Sequence, residues 1–171
     1  AARQAALAAR RERRPFVIVA SLLDKATNLG GICRTAEVFN AASVVLPDRR
    51  VLASEHFKGL ALGSERWLPI EEVRPDALCG YLRARRREGW QVVALEQAHG
   101  SVPMQSFTFA PKTILLLGAE TNGVPAELLA EADACVEIPQ AGLIRSLNVH
   151  VSASISLWEF TRQQLLGAAA H

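Results

Sequence analysis

The sequence predicts one α/β domain in which a mostly parallel sheet is covered by helices on both faces. A chain of 171 residues suits a single domain, and a composition of 50% hydrophobic and 21% charged residues excludes a disordered chain. Short apolar runs alternate with helical patterns from residue 16 onward. Four of these runs, VIVAS, SVVL, VVAL and ILLL, are apolar throughout, which is typical of parallel strands buried on both faces.

Each element follows from its local pattern. Apolar runs of strand length predict strands at residues 16–23, 42–46, 67–73, 90–96, 113–117 and 135–138. Apolar residues three and four positions apart predict helices at residues 29–39, 54–62, 75–88, 125–131 and 146–166. Ser54 is placed to cap the second helix, and Pro75 and Pro125 are placed to start the third and the fourth.

Positive charge is concentrated at the N-terminus. Residues 1–14 hold five arginines and one glutamate, a net +4, whereas the whole chain carries only +2. We expect residues 1–15 to form a basic helix or tail that Pro15 ends, in front of a domain at residues 16–171. This arm is the better candidate for contact with nucleic-acid phosphates. A second basic cluster is more typical of a solvated helix face; it consists of Arg83, Arg85, Arg86 and Arg87.

Composition also bears on compartment and partners. Cys33, Cys79 and Cys135 are far apart and odd in number, which argues against a disulfide framework and a CxxC metal pair. This cysteine usage predicts a cytoplasmic or nuclear protein without a metal site. The longest charge-free helical run is too short to span a membrane, and no apolar signal-peptide segment follows the N-terminal arginines. A start at Ala1 without methionine is compatible with further N-terminal domains of a longer chain.

Three loops are expected to line one cleft. They follow predicted strands at the edge where α/β sheets bind ligands, and each combines glycine, asparagine, a charge and a hydroxyl group. The loops read DKATNLGGICRTAEVF, GAETNGVP and PQAGLIRSLNVHVSAS. Neither GxGxxG nor GxxxxGK[ST] is present, which argues against a dinucleotide-binding enzyme and against an NTPase.

Several residues of these loops have both a functional and a structural interpretation. Gly30 and Gly31 would allow close backbone approach and present amide groups to an anion, beside Arg34 as a fork for phosphate. The structural interpretation is a cap, a tight turn and a surface arginine. In the third loop, Ser146 is a candidate N-cap and Asn148 a candidate solvated side chain.

The three loops also resemble, in order and spacing, the three motifs of the SpoU (TrmH-type) branch of the SPOUT methyltransferases. The matching segments are NLGGICRTAEVF (motif 1), LLLGAETNGV (motif 2) and EIPQAGLIRSLNV (motif 3), and the similarity runs from about Phe16 to the C-terminus. Finer details such as SLNVHVS and WEFTRQQLL are similar to the C-terminal domains of large eukaryotic relatives. Those are related to the enzymes that methylate the 2′-hydroxyl of guanosine 18 in tRNA.

This resemblance implies a SPOUT fold with a deep C-terminal trefoil knot, a homodimer, S-adenosylmethionine as cofactor and RNA, most readily tRNA, as substrate. Motif 1 of one subunit would lie near the cofactor of the other. The implied catalytic residues are Asn28, Arg34, Glu120, Ser146 and Asn148. The implied cofactor-binding residues are Leu95, Leu117, Gly118, Ile138, Gln140, Leu143 and Leu147.

The implied reaction is methyl transfer from a sulfonium to a ribose 2′-oxygen. Because arginine keeps its proton in proteins, we expect Arg34 to grip the phosphate beside the target ribose rather than to act as a base. Glu120 would hold Asn148 or Arg34 in place. The alternatives are another RNA, such as rRNA or a different tRNA site, and an RNA-binding module that lost catalysis. The presence of all five implied catalytic residues argues against that loss.

Two residues depart from the family pattern. Asn40 stands where the family has glycine after motif 1, and asparagine tolerates a positive φ better than most residues. His150 stands where motif 3 continues with serine, one helical turn after Ser146. We expect His150 either to be a structural partner at the dimer interface or to assist at the substrate.

Overall fold

A parallel sheet forms the centre of the computed structural model, which describes residues 12–169. The strands are β1 (Arg14–Val19), β2 (Ala41–Leu46), β3 (Ile70–Glu72), β4 (Gln91–Leu95), β5 (Val102–Pro103), β6 (Thr113–Leu117) and β7 (Ala134–Glu137). Their order in the sheet is β3-β2-β1-β6-β4-β7-β5, and every strand pair is parallel.

Helices cover both faces of the sheet, as predicted. They are α1 (Ala26–Val38), α2 (Glu55–Ala61), α3 (Leu78–Arg87), α4 (Ala126–Leu129) and α5 (Val149–Ala169). Because side chains alternate along a strand, Phe16 and Ile18 join the core under α1, α2 and α5, whereas Val17 and Val19 join the core under α3 and α4. The α/β fold class is therefore confirmed, and the trefoil knot stays a prediction of the resemblance. No helix among residues 12–169 combines the length and apolarity needed to cross a bilayer.

The start of the domain differs from the prediction. Strand β1 begins at Arg14 instead of residue 16, so Pro15 does not end the preceding segment but lies inside a central strand. Proline has no N–H to donate, and the β1–β2 register shifts between Arg14 and Val17, where such a residue is tolerated. The first eleven positions of the basic helix or tail predicted for residues 1–15 lie outside the described residues.

Several other elements begin at residues that differ from those predicted. The two-residue strand β5 was not predicted, because its length is too short for an alternating pattern. Helix α1 begins at Ala26 instead of residue 29, and α5 begins at Val149 instead of residue 146. Ser54 does precede α2, but its side chain makes no capping hydrogen bond. The expectation for Asn40 is confirmed, since its φ is 60°.

A backbone contact between α1 and α2 depends on one glycine. A β-carbon on Gly30 would lie 2.4 Å from the carbonyl oxygen of Phe57, and Phe57 is fully buried. Backbone oxygen cannot move aside as a flexible side chain can. The two helices can therefore approach this closely only while residue 30 has no side chain.

We expect Gly30→Ala to lower the free energy of unfolding by about 1 to 3 kcal/mol, because the added methyl group overpacks the α1–α2 contact. Urea denaturation measures this change. Gly59→Ala is the matched control: this glycine lies in α2, and nothing lies within 4 Å of its β-carbon position. The control should gain about 0.5 to 1 kcal/mol from helix propensity. Equal stability of Gly30→Ala and the wild type would contradict the contact.

Candidate active site

A cavity of about 380 Å³ opens at the carboxyl ends of β4, β6 and β7. These strands precede the second and third motif loops and the loop after VVAL. Of the three loops expected to line one cleft, the second and third do so, whereas no residue of the first lines the cavity. The volume lies within the range of roughly 300 to 1,000 Å³ that is usual for small-molecule sites. Apolar and polar groups both line it; the polar side chains include Glu96, Glu120, Glu137, Gln140, Arg145, Ser146 and Asn148.

Most of the predicted cofactor-binding residues lie at this cavity. It is lined by Leu95, Leu117, Gly118, Ile138, Gln140 and Leu147. Leu143 is the exception: it does not line the cavity and is fully exposed, at 100%. Its neighbour Ile144 is also exposed, at 83%. A loop has no side-chain periodicity, so the sequence could not show which of its apolar residues face inward.

The motif 2 loop folds back on itself beside the cavity. Ala119 and Gly123 exchange two backbone hydrogen bonds of 2.9 Å, and a β-carbon on Gly118 would lie 2.6 Å from the carbonyl carbon of Gly123. Glu96 fixes the far end of the loop, because its Oε2 accepts a 2.8 Å hydrogen bond from the N–H of Val124. Glu96 was not predicted as a site residue; its only signal is an acidic side chain directly after the strand VVAL.

Three of the implied catalytic residues form one chain of hydrogen bonds. Asn148 Nδ2 donates to Asn28 Oδ1 at 3.0 Å, and Asn28 Nδ2 donates to Glu120 Oε1 at 2.7 Å. Glu120 thus reaches Asn148 through Asn28 rather than directly. The ammonium group of Lys25 also bonds to Glu120, and it lowers the pKa of that carboxyl, with a further contribution from Asn28. Lys25, which the sequence analysis missed, precedes the first turn of α1.

Asn148 also caps the N-terminus of helix α5, which begins at Val149. Its Oδ1 accepts hydrogen bonds from the N–H groups of His150, at 2.9 Å, and Val151, at 3.3 Å. These are N–H groups that a helix leaves without an intrahelical partner. The prediction of Ser146 as the N-cap is therefore wrong, and Asn148 is held by hydrogen bonds rather than merely solvated. Ser146 instead lies in the preceding loop and lines the cavity.

The two glycines of motif 1 lie inside α1 and do not present amide groups to an anion. Gly31 lies against the ring of His150, since a β-carbon there would come within 2.4 to 2.9 Å of three ring atoms. The Nε2 of His150 lies 3.0 Å from Thr35 Oγ1, which Ser154 Oγ also contacts at 3.2 Å. The anion-binding and tight-turn interpretations are therefore both wrong, and the partners of His150 lie on α1.

Arg34 lies on the exposed side of α1 and does not line the cavity of its own chain. It is close enough to His150 for its charge to act on the imidazole. Burial lowers the pKa of His150, and the guanidinium of Arg34 lowers that pKa further. The ring is therefore largely neutral near pH 7. The guanidinium of Arg34 is exposed and can present its fork of donors to an anionic partner.

The arginine cluster of α3 is largely neutralised by acidic partners. Arg83 pairs with Glu131 at 2.6 Å, Arg86 pairs with Asp133 at 2.8 Å, and Arg85 pairs with the carboxylate of Glu71. These pairs connect α3 to strand β3 and to the loop between α4 and β7. The arrangement favours a structural helix face over a phosphate-binding surface.

We expect the free energy of unfolding to fall as the pH drops below about 6.5, the ordinary pKa of histidine, because the unfolded chain then takes up a proton that folded His150 resists. This contribution is fully present above that pKa and is lost as the pH approaches the lower pKa of the folded state. Urea denaturation at about pH 5.5 and about pH 7.5 measures it. His150→Gln should show a smaller loss between the two pH values. An identical loss in both proteins would refute the assignment.

Comparison with known proteins identifies the family. Residues 15–158 match the SpoU rRNA Methylase family. Mouse tRNA (guanosine(18)-2′-O)-methyltransferase TARBP1 is 50% identical over 154 residues, which are 90% of this chain but only 10% of the mouse protein. The chain thus spans about a tenth of that relative. The tRNA (guanosine(18)-2′-O)-methyltransferase of Thermus thermophilus is 32% identical over 158 residues, 91% of this chain and 79% of that protein.

Solved structures agree with the sequence comparisons. The A. aeolicus TrmH/SpoU tRNA modifying enzyme superposes with a TM-score of 0.84 at 25% identity, covering 97% of this chain and 83% of that one. An AdoMet-bound rRNA methyltransferase from Sinorhizobium meliloti superposes with a TM-score of 0.76 at 33% identity, covering 91% and 58%. A family match over most of the chain, with the motif residues gathered at one sheet edge, shows that the chain belongs to the SpoU methylase family.

Proposed function

We propose that the chain is an S-adenosylmethionine-dependent RNA 2′-O-ribose methyltransferase that modifies guanosine 18 of tRNA. One observation carries this proposal: the cavity at the carboxyl edge of the sheet is bordered by motifs 2 and 3, and Glu120 and Asn148 at its border are tied together through Asn28 of motif 1. The mouse and Thermus relatives, both named for guanosine 18, support the choice of nucleotide.

The cavity has the properties that S-adenosylmethionine requires. Leu95, Leu117 and Ile138 offer apolar contact for a purine ring. The main chain of residues 140–147 makes no hydrogen bond to another described residue, so its N–H and C=O groups are available to a ligand. The carboxylates lining the cavity suit a cation. When bound, the cofactor supplies a methyl group on a positively charged sulfur, ready for transfer to an oxygen nucleophile.

The residues of this chain would bind and orient the ribose that receives the methyl group. Arg34 holds a phosphate next to the target ribose and stabilises negative charge that develops on the 2′-oxygen. Asn28, Glu120 and Asn148 are already hydrogen-bonded to one another without substrate, which favours polar groups that need little reorganisation. Ser146 lines the cavity and is placed to orient either the methionine part of the cofactor or the ribose.

The proposal includes a homodimer, since Arg34 lies outside the cavity of its own chain. An exposed apolar face on α5 supports self-association. Val151, Ile155 and Trp158 recur at helical spacing and are 43%, 37% and 49% exposed. A second copy packed on this face, which neighbours α1, would bring Arg34 of one subunit to the cavity of the other.

We expect labelled S-adenosylmethionine and unmodified tRNA to yield one 2′-O-methylated ribose, at guanosine 18. A tRNA with 2′-deoxyguanosine at that position is the control and should take up no label, because it lacks the acceptor oxygen. Mapping by primer extension and nuclease digestion identifies the nucleotide. Label at another ribose, or on a base, would overturn the proposed substrate. Absence of S-adenosylhomocysteine binding in calorimetry would instead indicate an RNA-binding module.

We expect Arg34→Ala to lose at least about 100-fold in kcat while S-adenosylhomocysteine affinity stays within about twofold, because Arg34 stabilises charge but does not line the cavity. Arg87→Ala is the matched control and should keep the wild-type rate, because Arg87 ends α3 just before the amino end of β4 and does not line the cavity. A wild-type rate in Arg34→Ala would remove Arg34 from the reaction.

Mixing two inactive variants tests whether Arg34 acts across the dimer. Leu147→Glu should block the cavity, and Arg34→Ala should remove the guanidinium. After subunit exchange, mixed dimers contain one site with an intact cavity and an intact Arg34, so roughly a quarter of wild-type activity should return. No recovery in a mixture shown to be dimeric would mean that Arg34 acts within its own chain.

A further inference from the structure

We propose that His150 is a positioning residue that sets the placement of Arg34 by locking α1 against the first turn of α5. This inference rests on the proposed function, because it concerns how the methyl-transfer site is held. The side chain itself is not assigned a contact with substrate or cofactor. Its effect passes through α1.

The first observation is a close contact at Gly31. The imidazole ring lies so near this residue that a β-carbon would come 2.4 Å from Nδ1, 2.5 Å from Cε1 and 2.9 Å from Cγ. Only glycine leaves room for the ring at this point of the helix. The contact therefore sets how closely α1 and the first turn of α5 approach each other at this point.

The second observation is the contact made by one ring nitrogen. Nε2 lies 3.0 Å from Thr35 Oγ1, whereas Nδ1 faces the position that a β-carbon on Gly31 would occupy. The ring is therefore held on α1 by a polar contact at Thr35 and by close packing at Gly31. Ser154 completes the contact, because its hydroxyl bonds to the carbonyl oxygen of His150 at 2.8 Å and lies 3.2 Å from Thr35 Oγ1.

The third observation is the place of Arg34 between the two contacts. On α1, Gly31 lies one turn before Arg34, and Thr35 lies one residue after it. The His150 ring therefore holds the turn from which the Arg34 guanidinium extends. On the other helix, Asn148 caps the turn that carries His150 and bonds to Asn28. A single ring thus connects the Arg34 turn to the residues at the border of the cavity.

The test compares side chains that keep or lose the Thr35 contact. In His150→Gln the amide group reaches the position of Nε2, whereas in His150→Asn the side chain is too short. We expect His150→Gln to keep kcat within about threefold of wild type, and both His150→Asn and His150→Ala to lose at least about tenfold. Affinity for S-adenosylhomocysteine should be unchanged in all three. Thr35→Ser keeps the hydroxyl that contacts His150 and should retain kcat in the same way as His150→Gln. Thr35→Val lacks that hydroxyl and should lose kcat in the same way as His150→Asn.

A second measurement does not depend on activity. Gly31→Ala should lower the melting temperature, and His150→Ala in that background should restore part of the loss, because it removes the ring that the new methyl group meets. His56→Ala, an exposed histidine on α2, is the control for both assays. The inference would be overturned by equal values of kcat in all three His150 variants, or by equal losses of kcat in His150→Gln and His150→Asn. It would also be overturned if His150→Ala did not restore the melting temperature of Gly31→Ala. Absence of methyl transfer by the wild type would instead overturn the proposed function.

Discussion

The arrangement of the site depends on a double contact of helix α1 through consecutive glycines. Gly30 lies against the backbone of α2, and Gly31 lies against the ring of His150 on α5. Because interiors are closely packed, neither contact tolerates an added methyl group without movement. Helix α1 is thereby fixed on two sides, and the side chains that project from it, Asn28 and Arg34, take their directions from that fixation.

Hydrogen bonds then carry this fixation to the cavity. Asn28 connects α1 to Asn148 at the start of α5 and to Glu120 of the motif 2 loop. Lys25 lowers the pKa of the Glu120 carboxyl, so Glu120 stays ionised and accepts hydrogen bonds from both Lys25 and Asn28. Glu120 and Asn148 therefore both make structural contacts and border the proposed reaction site, and Asn28 holds them together. Such preorganised groups need not rearrange when charge develops in a transition state.

The agreement between sequence and structure was best where the physical signal is local. Buried parallel strands are apolar throughout, so the longer strands and the helices on both faces were predicted correctly. The prediction failed for β5, which has two residues, and for the start of β1, where Pro15 sits at a register shift. The roles of Gly30 and Gly31 were also missed, because a glycine that permits helix contact looks the same in sequence as one that forms a turn.

The sequence by itself determined the fold class, the order of the three motif loops and their position at the carboxyl edge of the sheet, because all three follow from the alternation of apolar strands and helices. Only the tertiary structure decided which loop residues face the cavity, that Leu143 is exposed, and that Arg34 lies outside its own pocket. It also decided the partners of His150. These facts depend on contacts between residues more than a hundred positions apart, such as Thr35 and His150, and no local pattern records them.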